Sequence, residues 1–268
     1  MRLKIRHRTR YRYDGTAADV IQALRLTPVD HDGQHISNWR IDADVDGCFR
    51  EDVDAFGNRV TMFYADRPVS EVTIGVTGEA ETTDTSGLIR AAEPLPPPIF
   101  LRSTPLTAPD PSIAALAGRF AGATKLAALH GLCDAIHADM RFEIGATDAR
   151  TSAAAALTAG HGVCQDFAHI FIVAARHLGV PARYVSGHLA RTEQQEAAHA
   201  WAEALVPDLG WVAFDPANGI CATDSYLRVA VGLDYLDAAP IRGARRGGGG
   251  EQLSVTVEAE AAMRQSQN

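Results

Sequence analysis

The feature that most restricts the fold is a strict alternation at the start of the chain. Leu3, Ile5, Tyr11 and Tyr13 fall on one parity, and Arg2, Lys4, Arg6, Arg8, Arg10 and Arg12 on the other. A period of two belongs to a β-strand with one face in a core and one in water, and no helix accommodates it. The basic side reads as a solvated strand face rather than an anion-binding patch. Ala23 to Leu26, Trp39 to Val45, Arg59 to Tyr64 and Val69 to Val76 are further strand candidates, and Asp46-Gly47 and Gly57-Asn58 suit tight hairpin turns. Residues 1–90 are therefore expected to form an antiparallel β-sandwich.

The pattern then breaks. Between Ala91 and Pro111 stand seven prolines, Pro94, Pro96, Pro97, Pro98, Pro105, Pro109 and Pro111, each fixing φ and removing a backbone donor. Residues 91–111 read as a stiff connector, leaving 112–268 as a second unit. There the apolar spacing turns helical: Ile113, Leu116, Phe120, Leu126, Leu129, Leu132 and Ile136 recur around a break near Gly122. A second helix is expected from Cys164, with Phe167, Ile170, Phe171, Ala174 and Leu178 on its inner face and Gly179 and Pro181 ending it. Arg183 to Leu189 reads as a strand, and His199 to Val206 with Trp211 to Phe214 as a hairpin around Pro207, Asp208 and Gly210. Leu253 to Val257 reads as a final strand, and the glycine- and arginine-rich stretch Arg242 to Gly250 as a mobile segment. The fold class expected is α+β.

Composition excludes several functions. A net charge of −8 argues against a protein that wraps phosphate backbones, so no nucleic-acid partner is expected. The first twelve residues lack the continuous apolar run of a secretory signal, and no later stretch approaches the length of a membrane span. Four scattered cysteines, Cys48, Cys133, Cys164 and Cys221, form no CxxC pair. They suggest neither a zinc ribbon nor a disulfide scaffold, and point to a reducing cytoplasm. The scattered histidines show no metal-ligand spacing and no EF-hand loop is present, so neither metal nor cofactor is expected.

One cysteine is unlike the rest. Cys164 follows Gly160 and Gly162 and opens the second helix, where unpaired N–H groups and the helix dipole favour thiolate over thiol. Those N–H groups can also stabilise the oxyanion of a tetrahedral intermediate. In His199-Ala200-Trp201-Ala202-Glu203, His199 shares a strand face with Trp201 and Glu203. Opposed positions in an antiparallel pair have a constant sum, so the even separation of His199 and Asp215 lets them share that face. Asp215 could then orient one imidazole nitrogen and leave the other for Cys164. The plainer reading of the same pair is a structural hydrogen bond.

The segment Gly162-Val163-Cys164-Gln165-Asp166-Phe167-Ala168-His169, with His199-Ala200-Trp201 and Gly210-Trp211-Val212-Ala213-Phe214-Asp215-Pro216, resembles the core of the bacterial transglutaminase-like superfamily. Leu24-Arg25-Leu26-Thr27-Pro28, Gln34 and Asp54-Ala55-Phe56-Gly57-Asn58 are similar to the β-rich domain that precedes this core. The resemblance implies a papain-like catalytic domain with Cys164 as nucleophile, His199 as general base and acid, and Asp215 as orienting carboxylate. It implies acyl transfer from an amide of a peptide or protein substrate, through a thioester, to water or to an amine. Gln165 and Asp166 are candidates for supporting the nucleophile or touching substrate. Trp201 is expected to pack against the helix or to wall the site, and His169, about 140° round the helix from Cys164, to point elsewhere. The run Glu193-Gln194-Gln195-Glu196 reads most simply as a solvated loop, in a position that could let it touch substrate.

The chain departs from the superfamily in one motif. Where a pattern like His-x-x-Val-Ala-x-Gly-Arg-Asp-Tyr is usual, it reads Tyr226-Leu227-Arg228-Val229-Ala230-Val231-Gly232-Leu233-Asp234-Tyr235. A histidine and an arginine are replaced by Tyr226 and Leu233, which bears on specificity and activity.

Overall fold

The computed structural model describes residues 1–190 and 198–261. The loop run at Glu193 to Glu196 lies outside them. Along the chain come β1 (Arg2–Thr27), β2 (Gln34–Ala43), β3 (Gly47–Val53), β4 (Arg59–Ala65), β5 (Val69–Thr82) and β6 (Leu88–Ile89). Then follow α1 (Pro111–Gly118), α2 (Lys125–Asp139), β7 (Arg141–Phe142), α3 (Ala153–Ala159), β8 (His161–Gly162), α4 (Cys164–His177), β9 (Ala182–Leu189), β10 (His199–Val206) and β11 (Gly210–Asp215). Last are β12 (Ile220–Cys221), β13 (Tyr226–Gly232), α5 (Tyr235–Ala238), β14 (Ile241–Gly247) and β15 (Glu251–Ala261).

β1 organises the first sheet. Leu3, Ile5, His7 and Thr9 are buried in its first half, and Val20, Gln22, Leu24 and Leu26 in its second. The buried parity stays odd through Tyr13 and Ala17 and turns even from Val20, across an irregularity in the pairing with β14 between Ala18 and Ile21, so the strand turns its other face inward. The arginines of the first half are exposed beside carboxylates: Arg2 and Lys4 meet Glu79, Arg6 meets Glu258, and Arg10 and Arg12 meet Glu71. Such exposed pairs add little stability.

The strands expected to make a sandwich are hydrogen-bonded into one seven-stranded sheet in the order β2-β5-β1-β4-β3, with β14 and β15 also on β1. Gly57-Asn58 does close a β3–β4 hairpin. Asp46-Gly47 does not close one, since β2 and β3 stand at opposite ends of the sheet order. Gly47 serves close packing instead, because a Cβ there would come within 2.4 Å of the Phe63 ring.

The C-terminal stretch departs most from the sequence reading. Residues 241–247 pair with residues 17–24 of β1, and residues 251–261 with residues 3–13. Arg242 to Gly250, expected to be mobile, is thus mostly strand, and β14 and β15 belong to the first sheet rather than to the second unit. The proline-rich connector is also packed: residues Pro97–Leu101 form a 3-10 turn, and buried Phe100 lies 5.1 Å from the Trp211 ring.

The second sheet, β12-β11-β10-β9-β13 with β6 on β11, carries the candidate site. Ala200, Ala202 and Ala204 of β10 give one smooth face, and α4 packs there through a core holding Phe167, Ile170, Phe171 and Ala174. Small residues on the strand let the larger helix side chains seat closely. The opposite face holds Trp201 with Val185, Ala213, Tyr226 and Val231, joined by Phe56 from the first unit. Beside it lies a buried ionic cluster. Glu203, fully buried, accepts from Arg183 at 2.6 Å and Arg228 at 2.8 Å, and Arg183 also grips Glu93.

β13 is an edge strand, yet every one of its residues is buried. Two amide side chains from the first unit take the place of a neighbouring strand. Gln34 accepts from Arg228 N and donates to Arg228 O, while Asn58 accepts from Val231 N and donates to Val231 O, all at 2.8–2.9 Å. Asp54 holds the Asn58 loop through the N–H groups of Phe56 and Asn58 and the Asn58 amide, and is itself paired with Arg25. The motif residues Gln34 and Asp54 to Asn58 therefore close what would otherwise be an open sheet edge.

Candidate active site

α4 begins at Cys164, as the glycine pattern leads one to expect. Gly160 ends α3 in the left-handed region at φ 71°, and the chain turns through His161 and Gly162 into the helix. Behind the turn sits Asp166, fully buried. Its Oδ2 accepts from Val163 N at 2.8 Å and from the Thr147 hydroxyl at 2.6 Å, fixing the residue just before the cysteine. Burial raises the Asp166 pKa, and these two donors oppose the rise. Gly162 is required by this arrangement, since a Cβ would come within 2.5 Å of Asp166 Oδ2. The N–H groups of Cys164 and Gln165, at the helix start, have no intrahelical acceptor.

The segment 141–148 lines the same turn. Arg141 N bonds Gly160 O, Glu143 N bonds Gly162 O, and the Gln165 amide reaches Asp148 O at 3.5 Å. Gln165 thus braces this segment. Phe142 and Ile144 on it are exposed next to the cysteine turn.

His199 opens β10 and Asp215 ends β11. Ala202 opposes Phe214, so one further step puts Trp201 opposite Asp215, and His199 is a diagonal neighbour of Asp215 on the same face. The even-parity argument therefore holds, with no bulge between them. His199 Nε2 and Asp215 Oδ2 are 2.6 Å apart, with His199 7% exposed and Asp215 fully buried. That leaves Nδ1 unused by Asp215, and the Cys164 side chain is near enough to the ring to help raise its pKa. The structure thus brings together Cys164, His199 and Asp215 from three separate elements.

Electrostatics favour a charged ring. Burial opposes protonation of His199, but the hydrogen bonds to Asp215 and Cys164 and their negative charge outweigh it, pushing the imidazole up to about 10. Burial likewise opposes ionisation of Asp215, and the donors around it win, lowering its pKa. Those donors are numerous. Oδ2 receives His199, the Asn218 amide at 2.6 Å and the Tyr226 hydroxyl at 2.7 Å, and Oδ1 receives Ala217 N and Asn218 N.

Asn218 and Tyr226 were not among the candidates. Asp-Pro-Ala-Asn is the signature of a turn in which an aspartate accepts from the following backbone, and it could have revealed the first. Tyr226 entered the sequence reading only as a replaced histidine. The other replacement, Leu233, has its carbonyl held by the Arg176 guanidinium of α4, which also bonds Phe100 O and Ala182 O.

Trp201 does not pack against the helix. The alternation that places three alanines toward α4 sends the indole to the other face, where its ring lies 6.2 Å from the His199 ring at 29° and it is 1% exposed. It walls the imidazole. His169 points away, fully buried, with Nε2 accepting from Tyr235 N at 3.1 Å and burial lowering its pKa to about 4. The other cysteines are set differently: burial raises the pKa of Cys133 and Cys221, and Cys48 lies exposed in the first sheet. Among the described residues, no three His, Cys, Asp or Glu side chains converge as a metal site requires, and no helix is long and apolar enough to cross a membrane.

Comparison with known proteins bears on the family and the fold. An uncharacterized protein of Mycobacterium leprae is 28% identical over 284 residues, covering 96% of this chain and 98% of its own length. An uncharacterized protein of Mycobacterium tuberculosis is 29% identical, covering 90% of this chain and 87% of its own. A crystal structure from Cytophaga hutchinsonii, named as a candidate cysteine protease, shares the fold with a TM-score of 0.78 at 22% identity, covering 97% of this chain and 90% of its own. Residues 3–81 match the bacterial transglutaminase-like N-terminal region and residues 114–216 the transglutaminase-like superfamily core. With both parts present in order over more than half of its length, the chain belongs to the transglutaminase-like superfamily.

Proposed function

We propose that the protein is a cysteine hydrolase, an amidase or protease, that cleaves amide bonds of peptides or proteins through a thioester on Cys164. The observation that carries this reading is the His199 imidazole held between Asp215 and the cysteine at the first residue of α4. For attack, the thiol proton passes to His199, giving a thiolate beside an imidazolium. The thiolate attacks the amide carbonyl carbon, and the oxyanion is met by the N–H groups at the start of α4. Collapse breaks the C–N bond, and the leaving amine takes the proton from His199 Nδ1. His199 then accepts a proton from water, whose oxygen attacks the thioester. The carboxylic acid leaves and the thiolate–imidazolium pair is restored.

Phe142 and Ile144 offer apolar surface to substrate side chains beside the cysteine turn. Water is the simplest acceptor because it needs no second substrate site, and the four unpaired cysteines suit the reducing cytoplasm proposed for the protein. The test is to incubate the purified protein with a denatured protein substrate and a fluorescent primary amine. New termini or released ammonia, without fluorescence entering protein, are expected. Amine incorporation without hydrolysis products would assign it instead as an amine-accepting transglutaminase.

A further inference from the structure

We propose that Tyr226 is a positioning residue of this site, acting through Asp215, and that the N-terminal sheet fixes its place by clamping β13. The proposal deepens the cysteine-hydrolase reading and rests on it. A buried tyrosine needs some partner for its hydroxyl, and many find a backbone carbonyl. Here the acceptor is Asp215 Oδ2, the same oxygen that holds His199 Nε2. The tyrosine ring also packs edge-on against Trp201 at 5.3 Å and lies 5.9 Å from the His199 ring, so its hydroxyl, Trp201 and Asp215 box in the imidazole.

Tyr226 is the first residue of β13, and its hydroxyl is only as well placed as that strand. β13 pairs with β9 on one side, through a bulge between Arg228 and Ala230. On its other side it has the Gln34 and Asn58 amides, which flank the bulge at Arg228 and Val231. A bulged edge strand is free to shift unless something satisfies its outward backbone groups. The N-terminal unit does so at two points, the nearer only two residues from Tyr226. This gives the N-terminal unit a role in catalysis: it holds a donor on the carboxylate that aims the imidazole.

The test compares Tyr226→Phe, Tyr226→His, Gln34→Leu and the double variant Tyr226→Phe/Gln34→Leu, each checked for wild-type circular dichroism. Two readouts are used: turnover of a peptide amide, and the pH dependence of Cys164 alkylation by iodoacetamide, followed by peptide mapping. For Tyr226→Phe, which keeps the ring, kcat is expected to fall about tenfold with KM unchanged, and the alkaline limb of Cys164 reactivity to move, since the carboxylate that holds the imidazole loses a donor. Tyr226→His, which restores a donor, is expected to recover part of the loss. Gln34→Leu is expected to reproduce the kcat effect, with little added in the double variant, because both act through one bond. An unchanged alkaline limb in Tyr226→Phe, or losses that multiply in the double variant, would overturn the proposal while leaving the nucleophile assignment standing. A wild-type Cys164 that alkylates no faster than Cys48 would overturn both.

Discussion

Replacing Asp215 with asparagine probes the electrostatic core of the site. The wild-type carboxylate holds His199 Nε2 at 2.6 Å in a place closed to water. A hydrogen bond to a charged group is worth about 1.5–3 kcal/mol. At about 1.4 kcal/mol per pKa unit, its loss lowers the imidazole by about one to two units, from about 10 to between about 8 and 9. The amide adds a second penalty. Its NH2 must face either His199, Asn218 and Tyr226 or the Ala217 and Asn218 N–H groups, and all of these donate to the carboxylate.

The sign follows from linkage. A ring raised above 6.5 contributes stability that is fully present below pH 6.5 and is lost as pH rises through about 10. In Asp215→Asn that loss still begins near pH 6.5 but is complete about one to two units earlier. The assay is the pH profile of kcat/KM with a peptide amide, whose falling limb reports the free-enzyme imidazolium. The limb should move from about pH 10 to about 8–9; the ring stays mostly charged at pH 7.5, so the fall of about 10²–10⁴-fold in kcat/KM expected there comes from the lost orientation of the imidazole. A limb that stays in place would refute the reasoning that Asp215 sets the charge of His199.

Three other outcomes follow from the packing. Glu203→Gln leaves Arg183 and Arg228 without their shared buried carboxylate, and chemical denaturation should show a loss of about 3–5 kcal/mol. Gly162→Ala pushes a Cβ into Asp166 and displaces the turn before Cys164, so activity should drop more than about tenfold while the melting temperature changes only a few degrees. His7 and His188 are buried 5.6 Å apart between the two sheets, with burial lowering their pKa values to about 4 and about 3. The unfolded chain therefore binds more protons as pH falls below about 6.5, and urea midpoints should decline from pH 6.5 toward pH 4, with a shallower decline in His7→Phe.

Much of the site was legible because it rests on local rules. A glycine turn before a helical apolar pattern places Cys164 at a helix start, and parity alone puts His199 beside Asp215 once the hairpin is recognised. What escaped depends on contacts between distant segments. Tyr226 reaches Asp215 only because β13 lies on the far side of β9 from β10, an order that no local pattern encodes. The same holds for β14, whose glycines and arginines suggest mobility until the edge of β1 is seen to need a partner, and for the pairing of β15 with β1, which its strand pattern alone does not reveal. Trp201 was misplaced for a simpler reason: the alanines already declare which face meets α4, and the indole must take the other.

The most direct measurement is to trap the acyl intermediate. Rapid acid quench of the protein with a peptide amide, followed by mass spectrometry of its fragments, should show the acyl mass on the peptide containing Cys164, removable by hydroxylamine, and no such adduct or turnover in Cys164→Ala. An adduct on another residue, or turnover that survives Cys164→Ala, would contradict the account.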